Sequence, residues 1–255
     1  MKRLALASVL LSTSALLSGS AVQMTFAEPT PAEIIEKSIA YHDPQGVWGQ
    51  GQVELDVKTI YSPEFAKKRG VTDSTVRLWL SPAQETFRYV KDTGKDLIDY
   101  SVKLGIGKVS VNGKTDISDE DKERLRIAEP ALYRDYFEYL YVMPQKLNDP
   151  GAKISPEAKS MTFNGKETWA VRVTYEAEVG EDIWDFFFDM KTYALVGYRF
   201  FHDEPKNDGE YIAFSGEIRD EASGLRLPKE RAWYYNADDG HLATDDIVSM
   251  RITTP

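Results

Sequence analysis

The sequence predicts an α+β protein built on one large curved antiparallel sheet of about ten strands. This half-barrel carries an N-terminal helix and a helical insert on its concave side. Three observations predict it. Residues 167–217 read as four strands in meander order. Two-residue alternation of apolar and polar residues recurs before and after that stretch. The period changes to that of a helix in only two places, after Thr30 and between Ser118 and Met143. Short links between successive strands give antiparallel pairing, and about ten twisted strands in one sheet curl or split.

The chain begins with a basic pair, Lys2 and Arg3, then an apolar run from Leu4 to Leu17 and a cleavage point at Thr25-Phe26-Ala27. This is the pattern of a secretory signal peptide over residues 1–27, cut before Glu28. Ser18, Ser20 and Gln23 interrupt the run before it reaches the roughly 20 apolar residues a membrane span needs. The expected product is therefore exported, periplasmic or extracellular, with no transmembrane segment after cleavage. The absence of cysteine excludes lipid attachment at the cleavage site, disulfides and thiolate chemistry. Residues 28–255 are expected to form a single β-rich domain, because no linker or internal repeat divides them. Loss of Lys2 and Arg3 takes the net charge from −10 to −12, with 29 basic residues against 41 acidic ones. So acidic a chain repels phosphate backbones and, as a whole, anionic lipid surfaces equally, and no nucleic-acid partner is expected.

Thr30, Pro31 and Glu33 form a helix start with a capping box, and Ile34, Ile35 and Ile39 make the apolar stripe of a helix running to about Ala40. The turn Tyr41-His42-Asp43-Pro44-Gln45-Gly46 ends it. Val53, Leu55 and Val57 alternate with polar residues as a half-buried strand. Pro63 to Thr72 reads as a basic connection around Lys67-Lys68-Arg69-Gly70. Residues 75–80, 86–91, 96–102 and 108–111 read as strands, the last ending at the turn dipeptide Asn112-Gly113. Ser118 caps a short helix, and Ala131 to Val142 forms a second, rich in aromatic residues and so expected to pack on the sheet.

The insert closes at Asp149-Pro150-Gly151. In the meander, Trp169, Val171, Val173 and Tyr175 share a face, and so do Trp184, Phe186 and Phe188. Ile183 and Phe187 lie opposite the second set, which leaves both faces of that strand half covered. Strands over 229–235 and 246–253 complete the pattern.

Several strings together resemble a family of secreted bacterial proteins of uncharacterised function: His42-Asp43-Pro44-Gln45-Gly46-Val47-Trp48, Lys146-Leu147-Asn148-Asp149-Pro150-Gly151, VTYEAEVGEDIW, FFHDEPKNDGEYI and RAWYYN. They span nearly the whole mature chain, and they bring no catalytic residue with them. The helix followed by a curved sheet also looks like the LolA-type lipoprotein-carrier half-barrel. That likeness concerns architecture, which does not imply function.

The chemistry-bearing residues are sparse. His42, His202 and His241 each stand beside acids but lack metal-ligand spacing, and turn chemistry accounts for their surroundings. The loop His202 to Glu210 is rich in oxygen ligands yet fails the EF-hand register at Pro205 and Asp208. No G-x-S-x-G elbow occurs, and Gly105-Ile106-Gly107 is not followed by a helix. No catalytic residue, metal or cofactor is assigned.

The favoured expectation is a non-enzymatic binding protein holding a hydrophobic small molecule or lipid in the concave face. Trp48, Leu55, Trp79, Phe87, Leu140 and Trp184 are the expected lining residues. That expectation requires a pocket of roughly 300 Å³ or more. The alternatives are a hydrolase using carboxylates and His42, and a structural module of the cell envelope without a ligand.

Overall fold

The computed structural model describes residues 28–254; the expected signal peptide, residues 1–27, lies outside them. Helix α1 (Pro31–His42) starts with the expected capping box. The Thr30 hydroxyl accepts from the Glu33 N–H at 3.3 Å while the Glu33 carboxylate accepts from the Thr30 N–H at 2.8 Å. Then come β1 (Gln52–Tyr61), α2 (Pro63–Arg69), β2 (Ser74–Ser81), β3 (Thr86–Asp92), β4 (Leu97–Lys103) and β5 (Ile106–Val111). The insert is α3 (Asp119–Leu125) and α4 (Pro130–Tyr141). The second half is β6 (Ala152–Phe163), β7 (Lys166–Tyr175), β8 (Ile183–Asp189), β9 (Leu195–Phe201), β10 (Glu210–Arg219), β11 (Arg226–Tyr235) and β12 (His241–Thr253).

All twelve strands form one open antiparallel sheet in the order β5-β4-β3-β2-β1-β12-β11-β10-β9-β8-β7-β6. Every strand neighbours its sequence successor except β5, since β5 and β6 are the two edges, and a seam in the middle pairs β1 with β12 from Gln52–Thr253 to Tyr61–Ala243.

The structure corrects the sequence expectation at two elements. The sheet has twelve strands where about ten were expected; the strands named one by one from the sequence number eleven, and β6 is the twelfth. Polar residues lie on both its faces, Pro156 interrupts it, and its register shifts between Ile154 and Ala158. An edge strand tolerates both a proline and a bulge, so no clean alternation is required of it. Helix α2 replaces the expected connection at Pro63–Thr72. Its signals are an N-cap serine, a proline at the first helical position and a C-terminal glycine: the Ser62 hydroxyl accepts from the Phe65 N–H at 3.2 Å, and Gly70 closes the helix at φ 64°.

The main core lies between the helix-bearing face of the sheet and α1 and α4. Leu55, Leu78, Leu80, Phe87, Phe186 and Tyr198 meet Ile34, Ile35, Leu140 and Tyr141 there. The opposite face of β8 is covered too, as the aromatic run implied. Phe163 stacks on Phe187 at 3.9 Å between ring centroids, over a small cluster with Ala170 and Val196. Gly197 permits this cover, since a Cβ there would lie 2.4 Å from the Phe163 ring and 2.4 Å from the Ile212 carbonyl oxygen.

Candidate functional site

Strand register decides where the inner face is full and where it is not. Across the middle, Leu78, Leu55 and Met250 stand side by side and fill the space under the insert. One end of the same three strands places Ser74, Thr59 and Asp245 side by side instead. These short or polar side chains cannot reach the helices above. The result is a cavity of about 280 Å³. Its floor is Val57, Thr59, Val76 and Asp245, one wall is Phe65 of α2 with Tyr61, and the roof is Tyr136, Phe137 and Tyr141 of α4. Tyr136 is half exposed as a residue, while burial of its hydroxyl end raises its pKa well above the usual phenol range.

Two charged groups line this space. The Asp245 carboxylate accepts from the Thr59 hydroxyl at 2.6 Å and from the Trp233 indole N–H at 2.9 Å. Burial raises its pKa, and those hydrogen bonds and the charge of Arg231 act against the rise. Lys91 lies on the other side of the floor with its pKa lowered, first by burial and then by Arg126. Arg231 faces Asp245 across the β11–β12 ladder and is only 1 % exposed. Its guanidinium sits 4.2 Å from the Tyr141 ring and 5.3 Å from that of Phe214, and Nη1 donates to the Pro228 carbonyl at 2.9 Å. The cavity is thus an aromatic chamber with one carboxylate and one ammonium in its walls.

None of the six sequence-predicted lining residues borders this cavity. Trp48, Leu55, Phe87 and Leu140 are buried in the main core, where they fill the curve rather than line a space. Trp79 projects from the opposite face of the sheet, because Val76, Leu78 and Leu80 take the inner positions of β2. There it lies 4.9 Å from the Arg88 guanidinium in a polar groove with Asp56 and Arg77. Trp184 is half-buried at the far end of the inner face. It borders a separate groove with Tyr139 and Tyr175, whose hydroxyls are 2.8 Å apart. The sequence reading missed Asp245 by starting the last strand five residues late, at Asp246 rather than His241. Alternation through Ala243, Asp245 and Ile247 puts that aspartate on the inner face.

The histidines are engaged elsewhere. His42 Nδ1 donates to the Arg226 carbonyl at 2.9 Å, and Nε2 accepts from the Leu195 N–H at 2.9 Å. Burial lowers its pKa to about 4, so the ring is neutral near pH 7 with both nitrogens occupied. The neighbouring Asp43 carboxylate accepts from the N–H groups of Val47 and Trp48 at 2.7 and 3.1 Å. The HDPQGVW stretch is therefore a structural corner tying α1 to β9 and β11. In the 202–210 loop, Asp208 Oδ1 accepts from the His202 and Asp203 N–H groups. Among the described residues no group of three or more His, Cys, Asp or Glu side chains could hold a metal ion.

The model of a family of unknown function, DUF6503, matches residues 6–249. No curated protein matches the chain. Over most of its length it is similar to three solved structures. A LolA superfamily protein from Nitrosomonas europaea shows 11 % identity over 88 % of this chain and 94 % of that one, with a TM-score of 0.47. A DUF1329 family protein from Desulfovibrio piger shows 10 % identity over 86 % and 91 %, with a TM-score of 0.42. MucB in complex with MucA(peri) shows 10 % identity over 87 % and 93 %, with a TM-score of 0.24.

Proposed function

The chain belongs to the family of unknown function DUF6503, and from that premise we propose that it is an exported binding protein that holds an apolar or lipid-like ligand on the inner face of its sheet. The observation that carries the reading is the cavity under α4, with Tyr61, Phe65, Tyr136, Phe137 and Tyr141 in its walls. At about 280 Å³ it falls short of the roughly 300 Å³ that the sequence expectation required of a preformed ligand pocket. It therefore takes one short chain or ring as it stands, and a larger ligand requires α4 to lift. Choice among ligands is then by size and apolarity, with Lys91 and Asp245 set to meet polar ends. The hydrolase alternative loses its base, since both His42 nitrogens are bonded to backbone groups.

A second reading, a structural envelope module without a ligand, is favoured by the filled centre of the curve around Leu55, Phe87 and Leu140. Fluorescence separates the two. Trp233 borders the cavity, so titration with a long-chain acyl probe should shift tryptophan emission to a saturable limit. Ala243→Leu, which fills the floor, should abolish the shift without lowering the melting temperature by more than a few degrees. Trp79→Ala, on the opposite face, should leave the shift intact. No saturable shift with any chain length would leave the structural reading.

A further inference from the structure

We propose that the β4–β5 hairpin tip, Lys103 to Lys108, is a membrane-docking element that seats on an anionic phospholipid surface. The proposal stands on surface features and needs no occupant in the cavity.

The first observation is a residue choice that local geometry disfavours. Among the described residues three two-residue turns hold both central residues at positive φ. Two use Asn-Gly: Asn112 and Gly113 at 52° and 77°, and Asn164 and Gly165 at 47° and 73°. That is the dipeptide such a turn favours. The third uses Leu104 and Gly105, at 49° and 76°. A leucine in left-handed geometry is strained relative to asparagine, and this one gains no burial in return, being 64 % exposed. Ile106 beside it is 68 % exposed. Folding alone gives no reason for two large apolar side chains here.

The second observation is charge. Lys103 and Lys108 flank the apolar pair, and both are exposed. The ion pairs nearby join Arg88 to Asp99 and Arg124 to Asp96; among the described residues neither lysine takes part in one. Acids do stand near the tip: Glu85, whose carbonyl accepts from the Leu104 N–H, and Glu129 before α4. In a chain of net charge −10, a tip with two free cations around two apolar side chains is complementary to anionic headgroups over acyl chains. Pro130, the first residue of α4, abuts Gly107, and Leu132 is 62 % exposed at the same corner. Docking the tip therefore brings the roof helix of the cavity to the bilayer.

The test is co-sedimentation of the exported chain with vesicles of phosphatidylcholine alone or mixed with phosphatidylglycerol, at low and high salt. The wild-type protein should be retained by the anionic vesicles and released by salt. Lys103→Gln with Lys108→Gln should weaken retention about 25-fold, roughly fivefold for each lysine. Leu104→Asn with Ile106→Thr should also weaken it while the melting temperature holds or rises, because asparagine suits the turn. Equal retention of wild type and both variants, or no retention on anionic vesicles, would overturn the proposal. So would a change in oligomeric state on Leu104→Asn, which would assign the tip to contact between copies.

Discussion

His42 shows how one side chain can set a pH response. Its pKa falls from 6.5 in the unfolded chain to about 4 in the fold, chiefly through burial. The unfolded state therefore binds the proton more readily. The stability His42 confers is complete above about pH 6.5 and is lost as pH falls toward 4, by about 3 kcal/mol in all. Asp245, with its pKa raised by burial, works in the opposite sense, relieving strain on the fold as it protonates. His42→Phe separates the two. Urea melts should show a variant that is weaker than wild type at neutral pH and has lost most of the decline below pH 6.5. A variant with the wild-type slope would show that other groups carry the acid sensitivity. At this scale the sequence was legible where a local rule spoke: the Thr30 capping box and the Asp43-Pro44 corner are where the residues put them. Asp245 was not, because its place on the inner face depends on register with Thr59, 186 positions away in the chain.

Among elements, those with two distinct faces were legible and those without were not. The four meander strands and α4 follow from their periodicity. Strand β6 has no such period because only one edge of it is paired and neither face is deeply covered, and α2 buries no residue. The cavity was misplaced for a related reason. Apolar spacing identifies inner-face residues such as Leu55 and Phe87, but a cavity forms where side chains are too short to meet, and aromatic content does not report that. Strand β9 supplies the prediction at this scale. Adding a Cβ at Gly197 would collide with the Phe163 ring and with the backbone of β10. Gly197→Ala should therefore cost about 3 kcal/mol, as overpacking does, measured as a lowered midpoint in urea. A second change, Phe163→Ala, should recover only the part due to the ring. Full recovery would mean the Ile212 carbonyl yields freely.

For the whole molecule, one sheet holds β1–β5 on one side of the seam and β12–β6 on the other. The two halves share ten paired positions between β1 and β12, and α1 reaches back to β6 and β11. Unfolding is expected in a single transition: tryptophan emission and far-ultraviolet circular dichroism should give superimposable urea curves. Two separated steps would show that the halves are independent units.

The seam also sets a timetable. Glu54 and Arg251, joined across it, are 197 positions apart in the chain. During synthesis, β1 emerges with Val53, Leu55 and Val57 uncovered and one backbone edge open until nearly everything else has followed. Such non-local pairing closes slowly. Throughout that interval the nascent chain presents a ready template for foreign strands, so its safe arrival depends on whatever shields β1 until β12 reaches it.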